Sequence, residues 1–132
     1  MDGEAGSAGG AALDRRARGN EAEEAAVRLL EANGYRVRER NFRCRHGELD
    51  VVAEKGDTLC FVEVRMRATA VWGDPSLTVS RGKQRKVVNA ALHYLAARRL
   101  KDRMIRFDVI SVVGQGGRAR LEHIPDAFDA GM

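Results

Sequence analysis

Residues 47–67, GELDVVAEKGDTLCFVEVRMR, decide how this chain reads. Two β-prone runs flank Gly56-Asp57, a Gly-X dipeptide of the kind that closes a two-residue II′ hairpin, because glycine takes positive φ without steric cost. Lys55 then pairs with Thr58, opposed residues sum to 113 in number, and Asp50 faces Glu63. Strand side chains alternate, so Glu48, Asp50 and Val52 share a face with Phe61, Glu63 and Arg65, whereas Leu49, Val51, Ala53, Cys60, Val62 and Val64 form the other. One face is predicted to be apolar and the other charged. Opposed β-carbons lie roughly 4.5–5.5 Å apart, a separation at which two carboxylates repel unless something neutralises them. A divalent cation between Asp50 and Glu63 would do so. The plainer alternative is an ion-pair network that joins Glu48 to Arg65 and Glu63 to Arg67 or Lys83.

Outward from the hairpin, residues 1–18 are mainly Gly, Ala, Ser and Arg without periodicity, which predicts a disordered tail before one domain at 19–132. Asn20 reads as an N-cap, followed by acids at Glu21, Glu23 and Glu24 and by helical spacing of Ala22, Ala26, Leu29 and Leu30 up to Gly34. Tyr35–Arg43 alternates apolar and basic residues as a first strand should. The stretch 68–80 (ATAVWGDPSLTVS) carries a Gly-Asp-Pro turn signal and reads as a loop beside the charged face, with Trp72 either stacking on a base or plugging the core. Ser80 caps a second helix, whose Val87, Val88, Ala91, Leu92 and Leu95 form an apolar stripe. Arg81, Lys83, Arg85 and Lys86 crowd its N-terminus against the helix dipole, which points to an anion at that end. Met104–Val113 is a further strand, and Arg120–Ile124 a short last one. The order αβββαβ predicts an α/β fold with a mixed central sheet flanked by helices.

With 132 residues, 44% of them apolar and 32% charged, the chain suits one modest core. No apolar run approaches the roughly 20 residues of a membrane span, and no signal-peptide pattern opens the chain, so a cytoplasmic protein without membrane contact is expected. Cys44 and Cys60 have no zinc-type spacing, and His46, His93 and His123 are isolated in sequence. The net charge of +4 hides an uneven distribution: from Val64 to Arg106, eleven Lys or Arg stand against Asp74 and Asp102, a local excess of nine. Such clustering is the electrostatic footprint of a phosphate-backbone partner, although a solvated helix face has the same composition. Asp108, mid-strand, is expected to find a basic neighbour such as Arg106.

Asp50, followed by Glu63-Val64-Arg65 on the next strand and preceded by an acid-bearing helix, resembles the PD-(D/E)xK nuclease core, the restriction-endonuclease-like fold. More closely, the chain is similar to the YraN-like family of small bacterial proteins. That likeness runs from about Gly19 to Phe128 through Gly19, Glu23, Ala26, Gly34-Tyr35, Asn41, Gly47-Glu48-Leu49-Asp50, Phe61 to Arg65, Arg67, Gly73, Lys83-Gln84 and Arg106 to Val109.

The resemblance implies Asp50 and Glu63 as metal-binding acids, the Val64 carbonyl as a further ligand, Glu23 as an acid from the first helix, and Mg²⁺ or Mn²⁺ as the ion. Arg65 stands where the superfamily signature has a lysine; arginine stays protonated and can only hold charge. Lys83 is the candidate to supply the missing ammonium. Arg65, Arg67, Arg81, Lys83, Gln84, Arg85 and Lys86 are the expected contacts to DNA or RNA. The implied activity is metal-dependent endonucleolytic hydrolysis of phosphodiesters, on branched or repair intermediates by likeness to junction resolvases, which also brings a homodimer into the expectation. The alternative is a binding module whose nuclease centre has degenerated, as the change from Lys to Arg allows.

Overall fold

The computed structural model describes residues 7–67, 79–114 and 116–130, with side chains from residue 19 onward except that of Arg67. Helix α1 (Ser7–Ala32) precedes the strands β1 (Arg36–Cys44), β2 (Gly47–Lys55) and β3 (Thr58–Arg67). Helix α2 (Arg81–Ala97) then crosses to β4 (Met104–Val113), and β5 (Arg120–Phe128) follows. The sheet order is β1-β2-β3-β4-β5, antiparallel throughout except for the parallel β3–β4 pair that the α2 crossover requires. This is a mixed α/β architecture compatible with a restriction-endonuclease-like core.

The hairpin keeps its expected register. Lys55 pairs with Thr58 and Val51 with Val62. Gly56 has φ 60, and Asp57 is not among the described residues with positive φ, as a II′ turn demands. The ladder ends at Val51–Val62: toward its N-terminus β2 stays on β1 as far as Gly47, while β3 stays on β4 as far as Arg67. The two strands splay at the point where Asp50 and Glu63 sit.

The expectation of one apolar and one charged face is corrected, because helices cover both faces. Val52, Leu59, Phe61 and Phe107 pack against Val87, Val88, Ala91 and Tyr94 of α2. Val51, Ala53, Cys60, Val62, Ile110 and Val112 pack against Ala22, Ala26 and Leu30 of α1. Fully burying side chains of this size contributes about 1.5–3 kcal/mol each, so both faces matter energetically. Leu49 and Val51, two apart and therefore expected on one face, lie in opposite cores. The pairs Arg40–Val51 and Phe42–Leu49 bracket Asn41 and Asp50, and Asn41 has φ 55. A left-handed residue there rotates the strand pair and switches its side-chain alternation at Asp50.

Other boundaries also shift. Helix α1 starts at Ser7, so Asn20 lies inside the helix and not at its cap, and residues 7–18 are helical where a disordered tail was expected. Leu92 is half exposed, because Ala90 and Tyr94 take the buried stripe of α2 with Val87, Val88 and Ala91. Strand β5 continues past Ile124 to Phe128 through a bulge, where the Asp126 N–H turns to Asp108 in place of a ladder partner. Residues 68–78, Trp72 among them, fall outside the described part.

Candidate metal centre

Asp50 and Glu63 meet in the wedge between β2 and β3. The Asp50 carboxylate accepts the Val64 N–H at 2.8 Å, and Glu63 is 6% exposed. Burial and the neighbouring Glu63 charge push the Asp50 carboxyl up to about 7, against the opposing pull of the Val64 N–H. Burial also raises Glu63, opposed first by Lys83, then by Arg65 and by its hydrogen bond with Asp50. Both shifts run in the direction that favours a proton or a cation between the two acids.

Lys83 approaches from the other layer. Its Nζ lies 3.8 Å from Glu63 Oε2. Local chemistry fixes the start of α2: Ser80 Oγ accepts the Lys83 N–H at 3.1 Å, and Gln84 Nε2 donates to the Val79 carbonyl at 2.9 Å. Gly47 sets the docking of the helix on the sheet. A β-carbon built at residue 47 would stand 2.9 Å from the Lys86 carbonyl, closer than side-chain carbons are found.

The remaining expected residues divide. Arg65, two positions after Glu63 on the same strand, bears on it electrostatically. Glu23 of α1 adds its negative field to Asp50 and lies 3.7 Å from Arg40, yet its Oε1 is buried without a hydrogen-bond partner. Among the described residues no three His, Cys, Asp or Glu side chains converge on one point. Two carboxylates completed by a backbone carbonyl, water and substrate oxygens match what Mg²⁺ accepts. The donor set fits such an ion: oxygen ligands only, from two carboxylates that repel one another, Glu63 buried and Asp50 half-buried.

Arg81, Gln84 and Arg85 line an open cavity of about 450 Å³ with Val88, Asp129 and Ala130, whereas Lys86 lies against Gly47 on the opposite flank. Several members of the basic block are taken up internally, Arg98 by Glu39, Arg103 by Glu54 and Arg106 by Asp108. Glu48 pairs with Arg43 at 3.1 Å, since β2 follows β1 after leaving β3. The histidines are not isolated in space: the His46 and His93 rings sit 6.1 Å apart.

Asp108 is fully buried in a network that only the tertiary structure assembles. Arg106 donates to it at 2.9 and 2.8 Å, His123 Nε2 lies 2.7 Å away, and the Asp126 N–H donates at 3.0 Å. Burial alone would raise this carboxyl, but these partners together hold it at about 2. Burial pushes the nearby Cys60 thiol up to about 11. Cys60 is therefore a packing residue.

The family model described as Uncharacterised protein family UPF0102 matches residues 22–112. The chain belongs to this family. Among UPF0102 proteins, one from Myxococcus xanthus is 68% identical over 122 residues, covering 92% of this chain and 97% of the relative. A UPF0102 protein from Geobacter metallireducens is 46% identical over 117 residues, 89% of this chain and 96% of its own length. One from Persephonella marina is 41% identical over 112 residues, 85% and 93% respectively. The segment matched by the UPF0102 model holds Glu23, Asp50, Glu63, Arg65, Lys83 and Asp108, and stops before β5. Among the described residues of this UPF0102 protein, no helix is long and apolar enough to cross a membrane.

Proposed function

We propose that this protein is a divalent-cation-dependent endonuclease acting on DNA or RNA. The observation that carries the reading is the arrival of Lys83 Nζ at 3.8 Å from the buried Glu63, next to the half-buried Asp50. Two acids and one ammonium come together although Arg65 occupies the strand position of the usual lysine.

Asp50 and Glu63 would hold Mg²⁺ or Mn²⁺, with the Val64 carbonyl available as a backbone ligand and Glu23 adding negative field from α1. Such an ion, held by these residues, would supply Lewis-acid stabilisation of negative charge on the phosphate and would make a water more acidic. Lys83, alternating between Glu63 and a phosphate oxygen, orients the attacking water or neutralises the oxygens on which charge grows. Arg65 contributes fixed positive charge and cannot act as a base. Splaying of β2 from β3 past Val51–Val62 leaves the two acids at the end of the ladder, where a phosphate would have to reach them.

The test compares wild type with Asp50→Ala, Glu63→Ala and Lys83→Met on single-stranded, duplex, flapped and four-way DNA and on RNA, with Mn²⁺ or Mg²⁺. Loss of cleavage with binding retained is the expected result for each variant. Equal cleavage by all four proteins would sink the assignment. The Arg65 substitution favours one rival reading, a nucleic-acid-binding module without nuclease activity. It wins if neither ion binds while salt-sensitive nucleic-acid binding persists.

A further inference from the structure

We infer that a second phosphate-binding site, distinct from the metal centre, lies at the far end of α2, where Arg36, Arg38 and Arg103 surround the single carboxylate of Glu54. Arg36 donates through Nε to Glu54 Oε2 at 2.8 Å and makes a further Nη2 contact there. Arg38 reaches Oε1 at 3.3 Å and Arg103 reaches Oε1 at 2.9 Å. The Arg103 hydrogen bond leads in holding Glu54 below the usual carboxylate range. One negative charge thus gathers three positive ones. An ion pair built only for stability needs one guanidinium, and two uncompensated cations packed together are unfavourable unless an anion joins them. Guanidinium forks match phosphate oxygens in geometry, and each carries five N–H donors, most of which Glu54 leaves unused.

The loop that delivers Arg103 supplies an independent sign. Arg98 caps α2, the Arg99 N–H donates to Ala96 O at 3.2 Å, and the Leu100 N–H donates to Leu95 O at 3.0 Å. These are the two bonds of a Schellman motif, whose left-handed residue is usually glycine. Here it is Arg99, exposed, with φ 55, and Asp102 before Arg103 also has positive φ, 60. A cationic side chain is retained at a position where the backbone favours none. Strain of this type collects at ligand-binding segments.

The spacing relative to the metal centre is readable along two elements. Glu54 is four residues from Asp50 on β2, about 13 Å at roughly 3.3 Å per residue. Tyr94, whose hydroxyl accepts Arg38 Nε at 3.3 Å, is eleven residues from Lys83 on α2, about 16 Å at 1.5 Å per residue. For a duplex whose axis runs parallel to these elements, both intervals correspond to the axial rise of about four or five nucleotides at roughly 3.4 Å each. The ligand class is a phosphodiester backbone extending that far beyond the metal centre. The spacing, though not the site itself, rests on the nuclease reading.

Affinity for a 20-bp DNA duplex, measured by fluorescence anisotropy without divalent cation across a salt series, tests the site. Arg36 has a 70% exposed side chain, so Arg36→Gln is expected to fold normally, to weaken binding roughly tenfold and to lower the salt slope by about one. Arg99→Gly is expected to raise the melting temperature while also weakening binding, an outcome that a structural role for Arg99 does not produce. Arg120→Gln, on the opposite edge strand, should change neither. Equal losses for Arg36→Gln and Arg120→Gln, no loss for Arg36→Gln, or no duplex binding by wild type would each overturn the site. Duplex binding that is weakened by Arg36→Gln, without any cleavage, would overturn the nuclease reading and leave this inference standing. With cleavage mapped, trimming the DNA to fewer than four nucleotides on one side of the cut should make wild type and Arg36→Gln equivalent; failure to do so overturns the spacing.

Discussion

The Asp50 carboxylate takes the Val64 N–H at 2.8 Å, the donor that would have made the next ladder bond, to Leu49, had the hairpin continued past Val51–Val62. A catalytic candidate thereby terminates the strand pair and is fixed by doing so. Asp50→Asn keeps an acceptor for that N–H and removes the charge, whereas Asp50→Ala removes both. Both are expected to abolish divalent-ion binding by calorimetry. Thermal denaturation should show the asparagine variant about 1 kcal/mol more stable than the alanine one, the worth of one retained hydrogen bond.

The pH dependence of stability should carry the signature of the same pair. Folded Asp50 titrates near 7 and its ordinary value is 3.8, so between those limits the folded chain binds the additional proton. Stability of the cation-free protein therefore falls as pH rises through this window, by on the order of 2–4 kcal/mol. Mg²⁺ or Mn²⁺ should restore it, more at pH 8 than at pH 5, and Asp50→Asn should flatten the profile. Urea denaturation at four pH values reads this out; a cation-free stability that climbs from pH 5 to 8 contradicts the assignment.

Lys83→Arg preserves charge but not the compact ammonium, and Lys83→Met removes both. If Lys83 only balances Glu63, arginine suffices. If it orients water at the phosphate, both variants lose on the order of a hundredfold in kcat, a difference that single-turnover cleavage assays resolve.

Gly47→Ala places a β-carbon 2.9 Å from the Lys86 carbonyl and must push the start of α2 away. A loss of about 1–3 kcal/mol is expected in urea denaturation, together with weakened coupling of Lys83 to Glu63. Gly56→Ala meets no atom within 4 Å and disturbs only a positive-φ turn, so it should leave ion affinity unchanged.

Asp108→Asn leaves Arg106 facing a neutral amide inside the sheet. Breaking such a buried pair costs about 3 kcal/mol or more. Wild-type stability from this group is present above about pH 4 and is lost as pH falls through about 2, the opposite sign to Asp50, and acid titration of the variant should lack that component.

The amino-acid sequence by itself determined whatever depends on neighbours along the chain. Gly56-Asp57 dictated the bend and hence the register that sets Asp50 near Glu63, Ser80 dictated the start of α2, and the run of elements dictated one parallel pair in a mixed sheet. The family resemblance raised Lys83 as a candidate ammonium for the acids, without its distance. Only the tertiary structure decided the splay of β2 from β3, because that depends on β1 and β4 competing for the two strands. Packing likewise decided that both sheet faces are covered. The expected charged face held acids only at its open end, because Val52 and Phe61 behind them serve the α2 core. Alternation in a sequence reports which residues share a side, but not what lies on it. Approaches between distant segments, Gly47 to Lys86, Lys83 to Glu63, and Arg36 and Arg103 to Glu54, arise from docking whole elements by volume and charge, which no local pattern encodes.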